Sequence, residues 1–448
     1  MIVCTMKKEK DFLNSWFTEL NDSNIKYAVL RNYNQLPDSC GGSDMDIWIK
    51  KEDYDRFLLV TNDCVIKNDG ILASYTPDSL CPRIIYQGFG WGIQLDVHIG
   101  VALHKGVVYM DNSLIESNII KYNGINVLSK EIDSLISFLK EVLNNKKCKE
   151  QYCIEASNLI EIYGEDRVSS YLRAFSEDAK TRIIAFLRNK VFTKDKVREL
   201  GLFCSKDLQS VSSKIKYFFS QFCKLKRLFK QPGYTIAVLG TDGSGKSFII
   251  NSITPVLNEA FHNGIHYEHM RPNYLPSLAV AMGKKKADEP IGVCSNPHGS
   301  KPSGFIGSLI RLTYYWIDYT WGYFKKVFFD KAFKTHVWLF DRYYYDYYID
   351  QRRARLNLPC WIIKLYGLFV PAPDLTICLG GDPEKIYARK PETSLEEVKR
   401  QTMVLKEFAS THKKAVWVDT TTTPEESIKA AMDAIVKMMS KRFANTKL

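Results

Sequence analysis

YTIAVLGTDGSGKSFII, residues 234–250, decides how the second half of this 448-residue chain folds. Tyr234 to Leu239 is a short apolar run rich in β-formers; it stops at Gly240, a glycine-rich turn follows, and Lys246-Ser247 open a second apolar run at helical spacing. The pattern is G-x-x-x-x-G-K-S between a strand and a helix. Glycine accepts the backbone angles that turn consecutive N–H groups toward one point, and the helix beginning near Lys246 adds the positive end of its dipole. Such a loop suits phosphate. Gly240, Asp242, Gly243, Ser244, Gly245, Lys246 and Ser247 are the expected cofactor-binding set, with Lys246 reaching the outer phosphates of ATP and Ser247 ligating Mg²⁺.

Composition bounds the rest. With 45% hydrophobic and 25% charged residues the chain is long enough for two or three domains with real cores. Its eleven cysteines are scattered, without a C-x-x-C pair, and predict reduced thiols in a cytoplasmic protein. The amino-terminal MIVCTMKKEKDF is too short in apolar residues for a leader, and no run of about eighteen apolar residues predicts a membrane span. A formal charge of +12 favours phosphorylated or anionic partners. No motif for sequence-specific nucleic-acid reading accompanies it.

Working toward the amino terminus, residues 11–25 predict an amphipathic helix and Lys26–Leu30 a strand. In GGSDMDIWI, residues 41–49, the alternation of Met45, Ile47 and Ile49 sets Asp44 and Asp46 on one face of a strand. Asp96, in the alternating stretch Ile93–Ile99, is a third carboxylate; such a set suits a divalent metal. These residues resemble the nucleotidyltransferase fold over roughly residues 20–125. That resemblance implies metal binding by Asp44, Asp46 and Asp96 and nucleotide transfer, but Leu30-Arg31-Asn32 stands where active members carry their glycine-serine turn. The domain thus reads either as a transferase or as a recognition module.

From about Ser129 to Cys204 apolar residues recur at three and four, predicting helices that connect and space the domains. In residues 212–230, Ile215, Phe218, Phe219, Phe222, Leu225 and Phe229 fall on one helical face. Lys214, Lys216, Lys224, Lys226, Arg227 and Lys230 surround them, with no acidic residue. Such a helix either lies in an anionic membrane interface, making the protein peripheral at the inner membrane face, or docks on a neighbouring domain.

Beyond the loop, short strands end in Met270-Arg271-Pro272, in Asp341-Arg342-Tyr343 and, after Pro373-Asp374-Leu375-Thr376, in Asp382-Pro383-Glu384 with a helix to Arg389-Lys390. Together with residues 241–247 these motifs resemble thymidylate kinase over about residues 234–440, and more narrowly the thymidylate-kinase-like proteins of bacterial surface-polysaccharide gene clusters. The resemblance implies a kinase in which Asp242 meets an acceptor hydroxyl, Arg271 and Arg342 the acceptor phosphate, Asp341 the Mg²⁺, and Arg389 with Lys390 the donor phosphates. Departures argue against thymidylate itself: the family's R-E-P is here Met270-Arg271-Pro272, so the glutamate is missing, Asp346, Tyr347 and Ile349 alter the stretch after Asp-Arg-Tyr, and residues 277–333 form an insertion. Within that insertion, His298 and Lys301 are possible acceptor ligands, and an aromatic helix includes Tyr314, Tyr315 and Tyr319. Arg352, Arg353 and Arg355 add either phosphate contacts or a solvated helix.

The expected architecture is α/β. It comprises an α+β nucleotidyltransferase-like domain (1–128), a helical connector with the basic helix (129–232) and a P-loop kinase domain with a parallel sheet (233–448). The leading functional expectation is an ATP- and Mg²⁺-dependent phosphotransferase acting on a phosphorylated or sugar-containing acceptor in surface-polysaccharide biosynthesis. The alternatives are nucleotide transfer by the first domain and a membrane-peripheral assembly factor without an acceptor.

Overall fold

A computed structural model describes residues 2–281, 283, 301–444 and 446; His298 lies outside the described residues. The chain forms two compact units, Met1–Lys226 with Phe443–Leu448, and Arg227–Arg442.

In the first unit the strands are β1 (Tyr27–Val29), β2 (Met45–Ile49), β3 (Gly70–Thr76), β4 (Arg83–Gly88), β5 (Trp91–Ile99), β6 (Ala102–His104), β7 (Val107–Met110), β8 (Ile119–Tyr122) and β9 (Ile125–Leu128). Seven of them make one mixed sheet in the order β3-β4-β5-β2-β1-β9-β8, and β6 with β7 makes a separate hairpin. Side chains alternate across a strand, so each face builds its own core. Tyr27, Val29, Ile47 and Ile49 pack with Phe12, Trp16 and Leu20 of the helix Ile2–Asp22. Ala28, Leu30 and Trp48, one residue out of phase, pack with Ile132, Leu135 and Leu139 of the helix Lys130–Asn145. The helices from Lys130 to Asp207 continue that second core, so they form a layer of this unit.

The basic helix spans Val211–Cys223 and starts from a capping box of Ser210 and Ser213. Ser213 and Ser220, seven residues apart and so on one face, are its buried residues, and Ser220 Oγ donates to the Asp78 carbonyl at 3.3 Å. The aromatic face points the other way: Phe218 is 74% exposed and Phe222 63%. Among the described residues no helix is long and apolar enough to cross a membrane.

The second unit is an α/β layer structure on a five-stranded, wholly parallel sheet of β10 (Tyr234–Gly240), β11 (Ile265–His269), β12 (Val337–Asp341), β13 (Leu375–Gly380) and β14 (Ala415–Asp419). Every residue of β10, β12 and β13 is buried, as expected for central parallel strands covered on both faces. The order is β11-β12-β10-β13-β14. The chain leaves β10 to one side for β11 and β12 and returns to its other side for β13. The carboxyl end of β10 is therefore a topological switch point, the place where open parallel sheets hold ligands. The insertion contributes the helix Phe305–Ile317, which widens into π-helical turns over Asp318–Phe328. Tyr319, Tyr343, Tyr344 and Tyr347 pack edge to face in its core and present no open stacking surface.

Candidate functional site

The loop after β10 carries its two sharp reversals at Gly243 (φ 81°) and Gly245 (φ 82°), in the left-handed region that side chains disfavour. A Cβ at Gly240 would meet Ser244 Oγ at 2.3 Å, and one at Gly243 would meet the Ile386 carbonyl at 2.6 Å, so both glycines are also demanded by close approach. Gly245 precedes the helix Lys246–Ala260 without offering it a side-chain cap, so among the described residues the dipole end of that helix carries no N-cap side chain. Lys246 folds inward, only 9% exposed, and its Nζ donates to the carbonyls of Gly240 at 3.0 Å and Thr241 at 2.9 Å. Burial, then the Arg342 charge, pushes the ammonium down to about 7. Ser247 stands exposed in the first helical turn.

Two neighbouring strands end in abrupt turns made by residues with left-handed backbone, Met270 (φ 63°) after β11 and Arg342 (φ 71°) after β12. Such conformations cost of order 1–3 kcal/mol each and gather at sites that need them. Arg342 is 4% exposed; its guanidinium donates to the Gly240 carbonyl at 3.1 Å, to Asp346 Oδ1 at 3.0 Å and to Asp242 Oδ1 at 2.7 Å. Arg353 grips the other oxygen of Asp242. Burial works to raise the Asp242 carboxyl, but Arg342, Lys246 and Arg353 together hold it well below the usual range. Asp242, expected to meet an acceptor hydroxyl, is thus engaged by three cations. Asp341 accepts from the Tyr267 hydroxyl on Oδ2 at 3.2 Å, while its buried Oδ1 has no hydrogen-bond partner among the described residues. Arg271 is fixed by Asp318 Oδ2 at 2.8 Å and lies 5.1 Å over the Tyr315 ring.

On the other flank of the loop, Arg389 donates to the Thr420 carbonyl at 3.0 Å and Lys390 pairs with Glu392 at 3.0 Å. Arg389, Phe248, Thr420, Thr422, Gly243 and Gly245 line a cavity of about 340 Å³. Lys301 is exposed.

In the first unit Asp46 lies opposite Asp96 in the parallel pairing of β2 and β5, and ligand oxygens of Asp44, Asp46 and Asp96 fall within 4.8 Å of one another. The oxygens of two of them already have cations. Lys140 Nζ donates to Asp46 at 2.7 and 2.6 Å and Arg31 Nε at 2.5 Å, with His98 Nε2 at 3.5 Å. Arg83 forks onto both oxygens of Asp96 at 2.8 and 3.0 Å. Asp44 is pushed up by burial and by repulsion from Asp46 and Asp96. Side chains thus occupy oxygens of Asp46 and Asp96, and a divalent ion at this cluster would compete with Lys140, Arg31 and Arg83 for them.

Several site residues carried little sequence signal. Asp346 had the i, i+4 spacing from Arg342, and Asp318 is the lone carboxylate in the apolar stretch 305–329, a placement that demands a partner. Lys140, 94 residues from Asp46, and Arg353, 111 from Asp242, are joined to them only by the fold.

No protein-family model matches the chain, and no curated protein matches it. Among solved structures, thymidylate kinase from Ehrlichia chaffeensis aligns with 46% of this chain and 100% of its own at 16% identity and a TM-score of 0.30. Thymidylate kinase from Candida albicans aligns with 47% of this chain and 93% of its own at 15% identity and a TM-score of 0.33.

Proposed function

We propose that the second unit is an ATP- and Mg²⁺-dependent phosphotransferase acting on a phosphorylated or sugar-containing acceptor of the kind used in surface-polysaccharide assembly. The observation that carries this reading is the convergence at one switch point, among the described residues, of a glycine-turned loop, a helix start without an N-cap side chain, the buried ammonium of Lys246 and the unpartnered Oδ1 of Asp341. These features fit a nucleoside triphosphate with its cation: the loop amides and Lys246 for phosphate oxygens, Ser247 and Asp341 for the ion, and the cavity beside Phe248 and Arg389 for the nucleoside end. When bound, the nucleotide supplies the phosphoryl group and the ion neutralises its charge.

The chain's own contribution is positioning and charge, which phosphoryl transfer mainly requires. Arg342 ties the loop carbonyl of Gly240, the loop carboxylate of Asp242 and Asp346 into one rigid unit. Arg271, held in place by Asp318, is the side chain we assign to the acceptor's anionic group. Purified protein should consume ATP in the presence of its acceptor, screened among nucleoside monophosphates and sugar phosphates, and Lys246→Ala should abolish that consumption. Equal turnover by the variant refutes the assignment.

We further propose that the segment 212–230, with Val211 before it, contacts an anionic bilayer. Val211, Ile215, Phe218, Phe219 and Phe222 are all more than 60% exposed and lie beside exposed Lys214, Lys216 and Lys226. At ~1 kcal/mol per basic residue near such a surface, replacing these three lysines by glutamine should weaken binding to phosphatidylserine vesicles by about a hundredfold. Unchanged binding, or equal binding to neutral vesicles, contradicts this.

A further inference from the structure

At the amino ends of β11 and β12, the opposite end of the sheet from the glycine loop, three side chains from two parts of the chain converge. His266 is the second residue of β11, His336 directly precedes β12, and Asp330 belongs to the end of the insertion. Nε2 of His266 lies 2.7 Å from Nδ1 of His336, and Oδ2 of Asp330 lies 3.9 and 3.5 Å from those two nitrogens. We propose that these three groups form a binding site for a divalent transition metal of the Zn²⁺ class, which pins the insertion to the sheet.

The donor set is two imidazoles and one carboxylate, the combination that suits Zn²⁺, Co²⁺ and Fe²⁺ rather than Mg²⁺ or Ca²⁺. Metal–ligand bonds of about 2.0–2.1 Å in tetrahedral geometry separate ligand atoms by roughly 3.3 Å. The three observed separations bracket that value, so small side-chain rotations suffice. The surroundings orient each ligand as outer partners do in metal sites. Lys334 Nζ holds the other oxygen of Asp330, Oδ1, at 2.8 Å, leaving Oδ2 turned toward the imidazoles. The His266 ring stacks on Trp338 with centroids 4.6 Å apart. His336 is seated by its backbone, whose carbonyl accepts from Tyr234 N at 3.0 Å, and a Cβ at Gly264 would come within 3.2 Å of its ring. His266, the most open of the three, is 35% exposed in its side chain, so solvent can complete the coordination sphere.

Among the described residues, competing ligand sets are the carboxylates of Asp44, Asp46 and Asp96 and the thiols of Cys148 and Cys153, which lie close enough to hydrogen-bond each other; the variants of Asp330 and His336 separate this site from both. The experiment uses the full chain stripped with chelator, titrated calorimetrically with ZnCl₂ and separately loaded with Co²⁺ for its visible spectrum. Native protein should bind about one equivalent, give a nitrogen- and oxygen-ligand Co²⁺ spectrum and melt higher with Zn²⁺. Asp330→Asn and His336→Ala should each weaken binding at least ~10-fold and lose the Zn²⁺-dependent rise in melting temperature. Asp330→Asn preserves shape, and a metal-free melting temperature equal to native shows it folded. Absence of binding by native protein, a thiolate-type Co²⁺ spectrum, or undiminished affinity in Asp330→Asn overturns the proposal.

Discussion

Replacing Lys246 by methionine should leave the nucleotide-free protein about as stable as before, while removing its response to ATP. The Lys246 side chain is 10% exposed, and burial followed by repulsion from Arg342 lowers its pKa from 10.5 to about 7. A base whose folded value lies below its unfolded one destabilises the fold at pH values below the folded value, and the penalty fades as pH rises toward 10.5. A drop of that size corresponds to about 5 kcal/mol. Against it stand two hydrogen bonds from the charged Nζ to the Gly240 and Thr241 carbonyls, each worth roughly 1.5–3 kcal/mol. The two terms cancel to within about 2 kcal/mol, or a few degrees in the melting of a unit this size. Scanning calorimetry at pH 6 should therefore show Lys246→Met melting within a few degrees of native. The gap should close as the pH approaches 10.5, and MgATP should stabilise native protein alone. A variant melting many degrees lower at pH 6 would show the ammonium to be a structural support, and the reasoning would be wrong.

Three further outcomes follow from the same geometry. Asp346→Asn takes one carboxylate from the buried guanidinium of Arg342 but leaves Asp242 on it, so its cost should fall somewhat below the ~3–5 kcal/mol of a fully orphaned buried charge, read as a drop of about 5–10 °C in the second unit's melting. Asp318→Asn keeps an oxygen for the amides of Tyr274 and Leu275 but loses the anchor of Arg271; steady-state kinetics should show KM for the acceptor raised about tenfold or more with a smaller change in kcat. Asp44 is pushed up by burial, Asp46 and Asp96, so its ionisation costs stability once the pH passes 3.8 and climbs through the raised value. Asp44→Asn should then be more stable than native at pH 7 in urea melts, with the advantage gone below about pH 4.

The elements with strong local signatures were legible in the sequence. The alternation at Met45, Ile47 and Ile49 and the glycine loop after Leu239 give β2 and β10 as expected, because period and turn chemistry are short-range. Each strand end named for chemistry, at Arg271, Asp341 and Arg342, falls at the carboxyl edge of the parallel sheet. What the sequence hid was pairing. Nothing local to Arg342 shows that Asp346 and Asp242 both close on it, and nothing local to Asp46 shows that Lys140 reaches it from a helix of the opposite layer. The aromatic faces show the same limit in both directions. The tyrosines at 343, 344 and 347 are swallowed by the core, whereas Phe218 and Phe222 stay outside because the helix docks through its serines. Hydrophobicity fixes that a side chain is worth burying, but which surface it meets depends on long-range packing.

The central claim is that the loop between β10 and its helix grips the phosphates of a nucleotide. Isothermal titration of native protein with MgATP, repeated with Lys246→Ala, tests it most directly. Saturable binding to the native chain that weakens at least ~10-fold in the variant, as expected on losing a charged hydrogen-bond donor, is the predicted result. No heat from native protein, or equal affinity in the two, would contradict it.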